Sequence, residues 1–270
     1  MDGTSVPWPL APLEPYLAAA SLAVTRMAAM LLVMPAFTRL GTTGIVRTGI
    51  ALVLALPVIP VVAQPIAPLS LTPGTIAALV AKEAIVGALI GLALGIPLWA
   101  AQSAGDILDL QRGASMATLS GPSQAEEVSV SGTLFELTML ALFYASGGVA
   151  VAFGVVYDSY ALWPAAATLP QFGPSTGLVL LRALDSLITL GLMLAAPLVL
   201  ALFVTDIVLA LLSRAAPNLN VFDLSFSLKS LLFSALLVLY CTFLITYMRS
   251  DLLLLEGISR WIETILRSSP

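Results

Sequence analysis

Six stretches of this chain are long and apolar enough to cross a bilayer as helices, and no other feature constrains its fold as strongly. A hydrocarbon core about 30 Å thick takes about 20 apolar residues of helix. The candidates are residues 17–37, 45–63, 75–101, 132–157, 186–212 and 231–248. Inside lipid a helix satisfies its own backbone N–H and C=O groups, whereas an open strand cannot. The alternating ten-residue segments of a membrane barrel do not occur. The sequence therefore predicts an all-α, multi-span membrane protein. We expect a single membrane domain over 1–270, with an N-terminal tail (1–16), a helical region (17–248) and an amphipathic tail (249–270).

Composition agrees with this reading. Of 270 residues, 59% are hydrophobic and 10% charged, against about one quarter charged in soluble domains. The net charge of −4 comes from dispersed groups, so no nucleic-acid partner is implied. Cys241 is the one cysteine and no histidine is present. An intramolecular disulfide is excluded, and the commonest metal ligand and general base are missing. We expect Cys241 to be a small buried hydrophobe. The first sixteen residues carry Asp2 and Glu14 but no Lys or Arg, so no cleaved secretory signal is expected.

The basic residues give a partial topology. Arg39 and Arg47, Arg112, and Arg214 with Lys229 follow the first, third and fifth stretches. By the Lys/Arg bias of cytoplasmic loops they share one side, which puts the N-terminus outside. Six crossings would then put Arg249, Arg260 and Arg267 outside as well. Either the span count is off by one, or some hairpins do not cross the bilayer in the ordinary way. In the tail, Ile258, Trp261, Ile262, Ile265 and Leu266 share one helical face opposite Arg260, Glu263 and Arg267, which predicts an amphipathic helix.

Charges within or at the ends of the apolar stretches stand out: Arg26, Lys82, Glu83, Glu136, Asp185 and Asp206. A charge near the bilayer centre costs at least about 2.5 kcal/mol, so each should be paired or reach water. Structural ion pairing and a transport pathway are both compatible with them. Gly87, Gly91 and Gly95 recur every fourth residue and leave a bare stripe where another backbone can approach closely. The stripe fits packing within the chain or against another subunit.

Prolines mark other features. Pro57 and Pro60 bend or end the second stretch, and Pro197 interrupts the fifth. The connector 102–131 is long and acidic. Its Asp106, Asp109 and Arg112 can meet on one helix face, and Gly121, Pro122 and Ser123 signal a turn. Two nearby carboxylates can serve acid–base chemistry, but no nucleophile, base or metal ligand accompanies them. No phosphate-binding loop, zinc spacing or nucleophile elbow occurs. We expect neither a cofactor nor an enzyme activity.

Three groups of residues carry a family resemblance. The first is Lys82-Glu83 through the glycine stripe to Gln102-Ser103-Ala104-Gly105-Asp106, with Asp109, Gln111 and Gly113. The second is Ser213-Arg214-Ala215-Ala216-Pro217-Asn218-Leu219-Asn220-Val221-Phe222, followed by Leu228-Lys229-Ser230. The third is Arg26 to Pro35, with Arg47. Together they resemble the SctT/FliR family, inner-membrane export-apparatus components of type III secretion. The Arg214, Pro217, Asn220, Phe222 run is the most specific part. Asn218 departs from the family, which often has Gln there. Tyr157-Asp158-Ser159-Tyr160 with Trp163-Pro164, and Lys229-Ser230 followed by Tyr240, favour the injectisome (SctT) branch over the flagellar (FliR) one.

The resemblance implies helical hairpins, much of them held above the membrane plane, which would resolve the topology conflict. It implies a multi-pass protein of the bacterial inner (cytoplasmic) membrane, surrounded by lipid and assembled with SctR and SctS subunits. SctU and SctV are further partners, and unfolded secreted proteins are the substrates. It also implies that residues 106–124 plug a closed pore, involving Asp106, Asp109, Leu110, Arg112, Gly113, Met116 and Gly121. Leu108, Leu110, Met116 and Leu119 would form a dewetted seal, and Gly113 and Gly121 would let it move. The alternative is a secondary transporter for a small solute. That class favours inverted repeats with helices broken at corresponding positions, and the two halves of this chain show no such symmetry.

Overall fold

The computed structural model describes residues 13–39, 41, 43–68, 72–113, 129–167, 176–215 and 221–253. Among them are nine helices and no strand. In chain order they are α1 (Glu14–Val33), α2 (Pro35–Thr38), α3 (Gly44–Ala55), α4 (Ile59–Ile66), α5 (Pro73–Arg112), α6 (Val130–Ala145), α7 (Gly148–Leu162), α8 (Thr176–Ala215) and α9 (Val221–Leu253). Four helical segments are long and apolar enough to cross a membrane: Glu14–Val33, Pro73–Arg112, Leu184–Ala215 and Leu224–Ser250. The broken pairs α3/α4 and α6/α7 raise the number to six if each counts as one span.

The second apolar stretch is therefore broken into two helices. α3 and α4 meet at 70°. Pro57 has no N–H to continue the α3 ladder, and the phenol of Tyr157 donates to the Leu54 carbonyl at 3.0 Å. Pro60 falls in the first turn of α4, where a missing N–H costs nothing. The fourth stretch is also divided. α6 ends at Ala145 with Ser146 as its C-cap, and Gly147 takes φ +79°, a conformation that a residue with a Cβ enters only at a cost. The third helix is longer than its apolar run. α5 continues through the polar residues 102–112 for 40 residues in all, about 60 Å.

The described residues fall into two compact units. The first draws on 1–95 and 149–180, the second on 96–148 and 181–254. In the first, α1 packs against α3 and α4, with Leu22, Met27, Met30, Leu31 and Ile66 fully or almost fully buried. Gly87 and Gly91 of α5 lie against the backbone of α1. A Cβ on Gly87 would collide with the Arg26 carbonyl, and one on Gly91 would come within 2.7 Å of the Met30 carbonyl. Gly95 is buried.

In the second unit α9 packs on α6, around Leu98, Phe135, Met139, Phe143 and Leu202. Gly105 of α5 meets the backbone of Ser131 and Gly132 in α6. This second close crossing was not read from the sequence, because Gly105 lies in the connector 102–131 and neither it nor Gly132 belongs to a repeat. Gly191 brings α8 to 3.1 Å from the Ala100 carbonyl by the same measure. Cys241 is exposed on α9, contrary to expectation. Much of the outer face of that helix is apolar and open, as at Val238, Leu239 and Phe243, so an apolar residue there need not be buried.

Candidate functional site

Each unit contains a charged network. The first centres on Arg26, fully buried in the middle of α1. Its Nε donates to Glu83 Oε2 at 2.5 Å and its Nη2 to Glu83 Oε1 at 3.0 Å. Nη1 donates to Ser159 Oγ at 2.9 Å, and Nη2 also donates to the Trp163 carbonyl at 2.8 Å. The guanidinium carbon lies 3.8 Å from the centre of the Tyr160 ring, a cation–π contact. Lys82 is 2.8 Å from Glu83 Oε1 and donates to the carbonyls of Pro164 and Ala165 at 2.9 and 3.0 Å.

Two cations thus share one carboxylate, and the excess positive charge is met by three backbone carbonyls and a ring face. A guanidinium is suited to this role because its planar fork satisfies several acceptors at once. Sequence spacing marked Arg26, Lys82 and Glu83 as charges needing partners. It did not mark Ser159, Tyr160 and Trp163 as those partners, since they lie over a hundred residues from Arg26.

The second network gathers at the end of α5. Asp109 pairs with Arg112 one turn on. Asp109 Oδ2 also accepts from Ser129 Oγ at 2.8 Å and from the Ser131 N–H at 3.0 Å. Ser129 is the N-cap of α6 and accepts from the Gly132 N–H at 2.8 Å. A carboxylate from α5 therefore caps α6 as well, where exposed N–H groups and the helix dipole favour negative charge. Arg112 Nη2 donates to Ser131 Oγ at 3.2 Å, and its guanidinium carbon lies 4.3 Å from the centre of the Phe233 ring. Residues 113 and 129, on either side of the connector, are thereby held to one place.

Beside it, Lys229 Nζ of α9 is 2.5 Å from Asp206 Oδ1 of α8 and donates to the Gln111 carbonyl at 3.2 Å. Gln111 Nε2 returns a bond to Asp206 Oδ2 at 3.2 Å.

The structure thus brings Asp109, Arg112, Asp206 and Lys229 into one unit, and Arg26, Lys82 and Glu83 into the other. Asp106 stands beside Gly132, and Gly113 follows α5 with φ +80°. Leu108 belongs to the core, whereas Leu110 is 68% exposed. Arg214 is exposed at the end of α8, and Asp185 is exposed near its start. Phe222 begins α9. Met116, Leu119, Gly121, Pro217, Asn220 and the amphipathic tail lie outside the described residues. Among the described residues no group of three or more His, Cys, Asp or Glu could hold a metal ion.

Long apolar helices joined through buried charges and glycine crossings define a multi-pass helical membrane protein. The family model for bacterial export proteins, family 1, matches residues 17–254, and the chain belongs to that family. This is the SctT/FliR family of the resemblance, a family of export proteins rather than of enzymes. The chain is 35% identical to Yop proteins translocation protein T of Yersinia pestis over 248 residues, 91% of this chain and 94% of that one. It is 31% identical to secretion system apparatus protein SsaT of Salmonella typhimurium over 80% of this chain and 84% of that one. Flagellar biosynthetic protein FliR of Caulobacter vibrioides matches at 25% over 82% and 87%. The chain is thus a membrane component of a type III secretion export apparatus.

Proposed function

We propose that this chain is a structural and gating subunit of the export gate, forming with SctR- and SctS-type subunits the inner-membrane pore that admits unfolded protein substrates. SctU and SctV complete the set of partners. The observation that carries this reading is the outer face of α8. Leu181, Leu184, Ile188, Leu200, Phe203 and Leu211 are all more than half exposed. Between Leu181 and Leu211 the helix rises about 45 Å, against a hydrocarbon core of about 30 Å. Leu181 and Leu184 share their turns with the exposed charges of Arg182 and Asp185, so they stand at or beyond the edge of that core. Open apolar side chains that extend past the lipid tails support contact with other protein.

The gating role falls to residues 106–124. The bonds of Asp109 and Arg112 to Ser129 and Ser131 support it, because they fix both ends of the connector. The injectisome branch is favoured by the higher identity to the translocation and secretion-system relatives, 35 and 31%, than to the flagellar one, 25%.

Mild detergent extraction should recover the chain in a complex of fixed stoichiometry with SctR- and SctS-type subunits. Deleting residues 115–120 should leave that complex intact and make resting cells leak small ions. A chain that purifies alone and moves a metabolite across liposomes would overturn the proposal.

A further inference from the structure

The two charged networks differ in how far the chain itself encloses them. The side chains of Arg26, Lys82 and Glu83 are 0, 3 and 0% exposed. Those of Lys229 and Asp206 are 12 and 36% exposed. An ion pair sealed from water is costly to break, because each charge is left without a partner. Water or a polar group of a neighbouring subunit can take over from the exposed member of an open pair, so its separation costs less. The second network also has the connectivity of a fastening. Lys229 of α9 holds Asp206 of α8 and the carbonyl of Gln111 on the last turn of α5, while the Gln111 side chain holds Asp206 from the other side. Three helices meet through one ammonium and one carboxylate. The neighbouring Asp109–Arg112 pair, 8 and 14% exposed, ties the same turn of α5 to α6 through Ser129 and Ser131.

We propose that the Asp206–Lys229 pair is a releasable lock: closed, it holds the end of α5 against α8 and α9, and its separation frees that end when the pore opens. The proposal rests on the gating role given above and adds the device that controls it. The sealed Arg26–Glu83–Lys82 network is the permanent counterpart, which holds the first unit together in every state.

The test uses the complete apparatus in cells, with four variants: Asp206→Asn, Lys229→Gln, Glu83→Gln and the 115–120 deletion. Complex assembly and resting ion leak are measured for each. Asp206→Asn and Lys229→Gln should assemble at the wild-type level and raise the leak by about two- to five-fold, the population shift that a partly exposed pair controls. Glu83→Gln should instead lower the amount of complex. A wild-type leak from both lock variants would overturn the lock, as would a loss of assembly matching that of Glu83→Gln. The deletion reports on the gating role separately. If it leaks while the lock variants stay tight, the lock fails and the gating role stands. If it stays tight while the lock variants leak, the seal lies at the lock and not in the connector.

Discussion

The guanidinium of Arg26 and the carboxylate of Glu83 face each other through two bonds, 2.5 and 3.0 Å long, across 57 residues of sequence. Lys82 competes for the same carboxylate, so the partners in this network are not equivalent. Removing Glu83 leaves two buried cations with only carbonyls and a ring face. Removing Arg26 leaves a neutral Lys82–Glu83 pair. Glu83→Gln should therefore destabilise the protein by about 3–5 kcal/mol, and Arg26→Leu by less. Thermal unfolding of the purified protein in detergent gives the order, and the reverse order would refute this account of the charge balance.

Gly87 and Gly91 should tolerate no side chain. Gly87→Ala drives a methyl group into the Arg26 carbonyl and the Ala29 side chain, and overpacking of this kind costs about 1–3 kcal/mol. Gly74, at the other end of α5, has open space around it, so Gly74→Ala should be neutral or slightly stabilising. Comparing the protease-resistant fractions of the two variants checks both expectations. Equal fractions would mean that α1 and α5 are not in close contact.

The sequence made much of this architecture legible, but unevenly. Every apolar stretch became helix, because lipid leaves the backbone no alternative. The break at Pro57 was readable, since a missing N–H is a local property. The break at Gly147 was not, since Ser146, Gly147 and Gly148 sit inside an apolar run without a proline. The extent of α5 was understated, because hydropathy falls at Gln102 whereas the helical spacing of Asp106, Asp109 and Arg112 continues. The buried charges could be seen as charges needing partners. Which partners they take depends on contacts between distant segments, and no spacing rule supplies those.

The cap that Asp109 places on α6 leads to a local prediction. Asp109→Ala leaves the Ser131 N–H and the Arg112 guanidinium short of an acceptor, at a cost of about 1–3 kcal/mol. Ser129→Ala removes the second cap and costs about 1 kcal/mol. Amide hydrogen exchange at Ser131 and Gly132 should quicken in both variants, while the middle of α6, around Met139, keeps its protection. Unchanged exchange at Ser131 in Asp109→Ala would show that the α5 carboxylate does not hold the start of α6.

The exposed face of α8 makes a prediction about assembly. Phe203 is 56% exposed in the isolated chain. Phe203→Asp should sharply reduce co-purification with SctR- and SctS-type subunits, because a desolvated, unpaired carboxylate is costly at a protein interface. Phe203→Leu should assemble normally. Wild-type recovery of the Asp variant would mean that this face meets water rather than protein.

The open apolar face of α8 also bears on how the chain is made. Newly synthesised and still alone, it carries large apolar side chains on α8 that its own fold leaves open. Such a molecule survives only if its neighbours arrive before quality-control proteases do. Its abundance in the cell is then set by the supply of those neighbours, and a surplus of this chain made without them would be degraded.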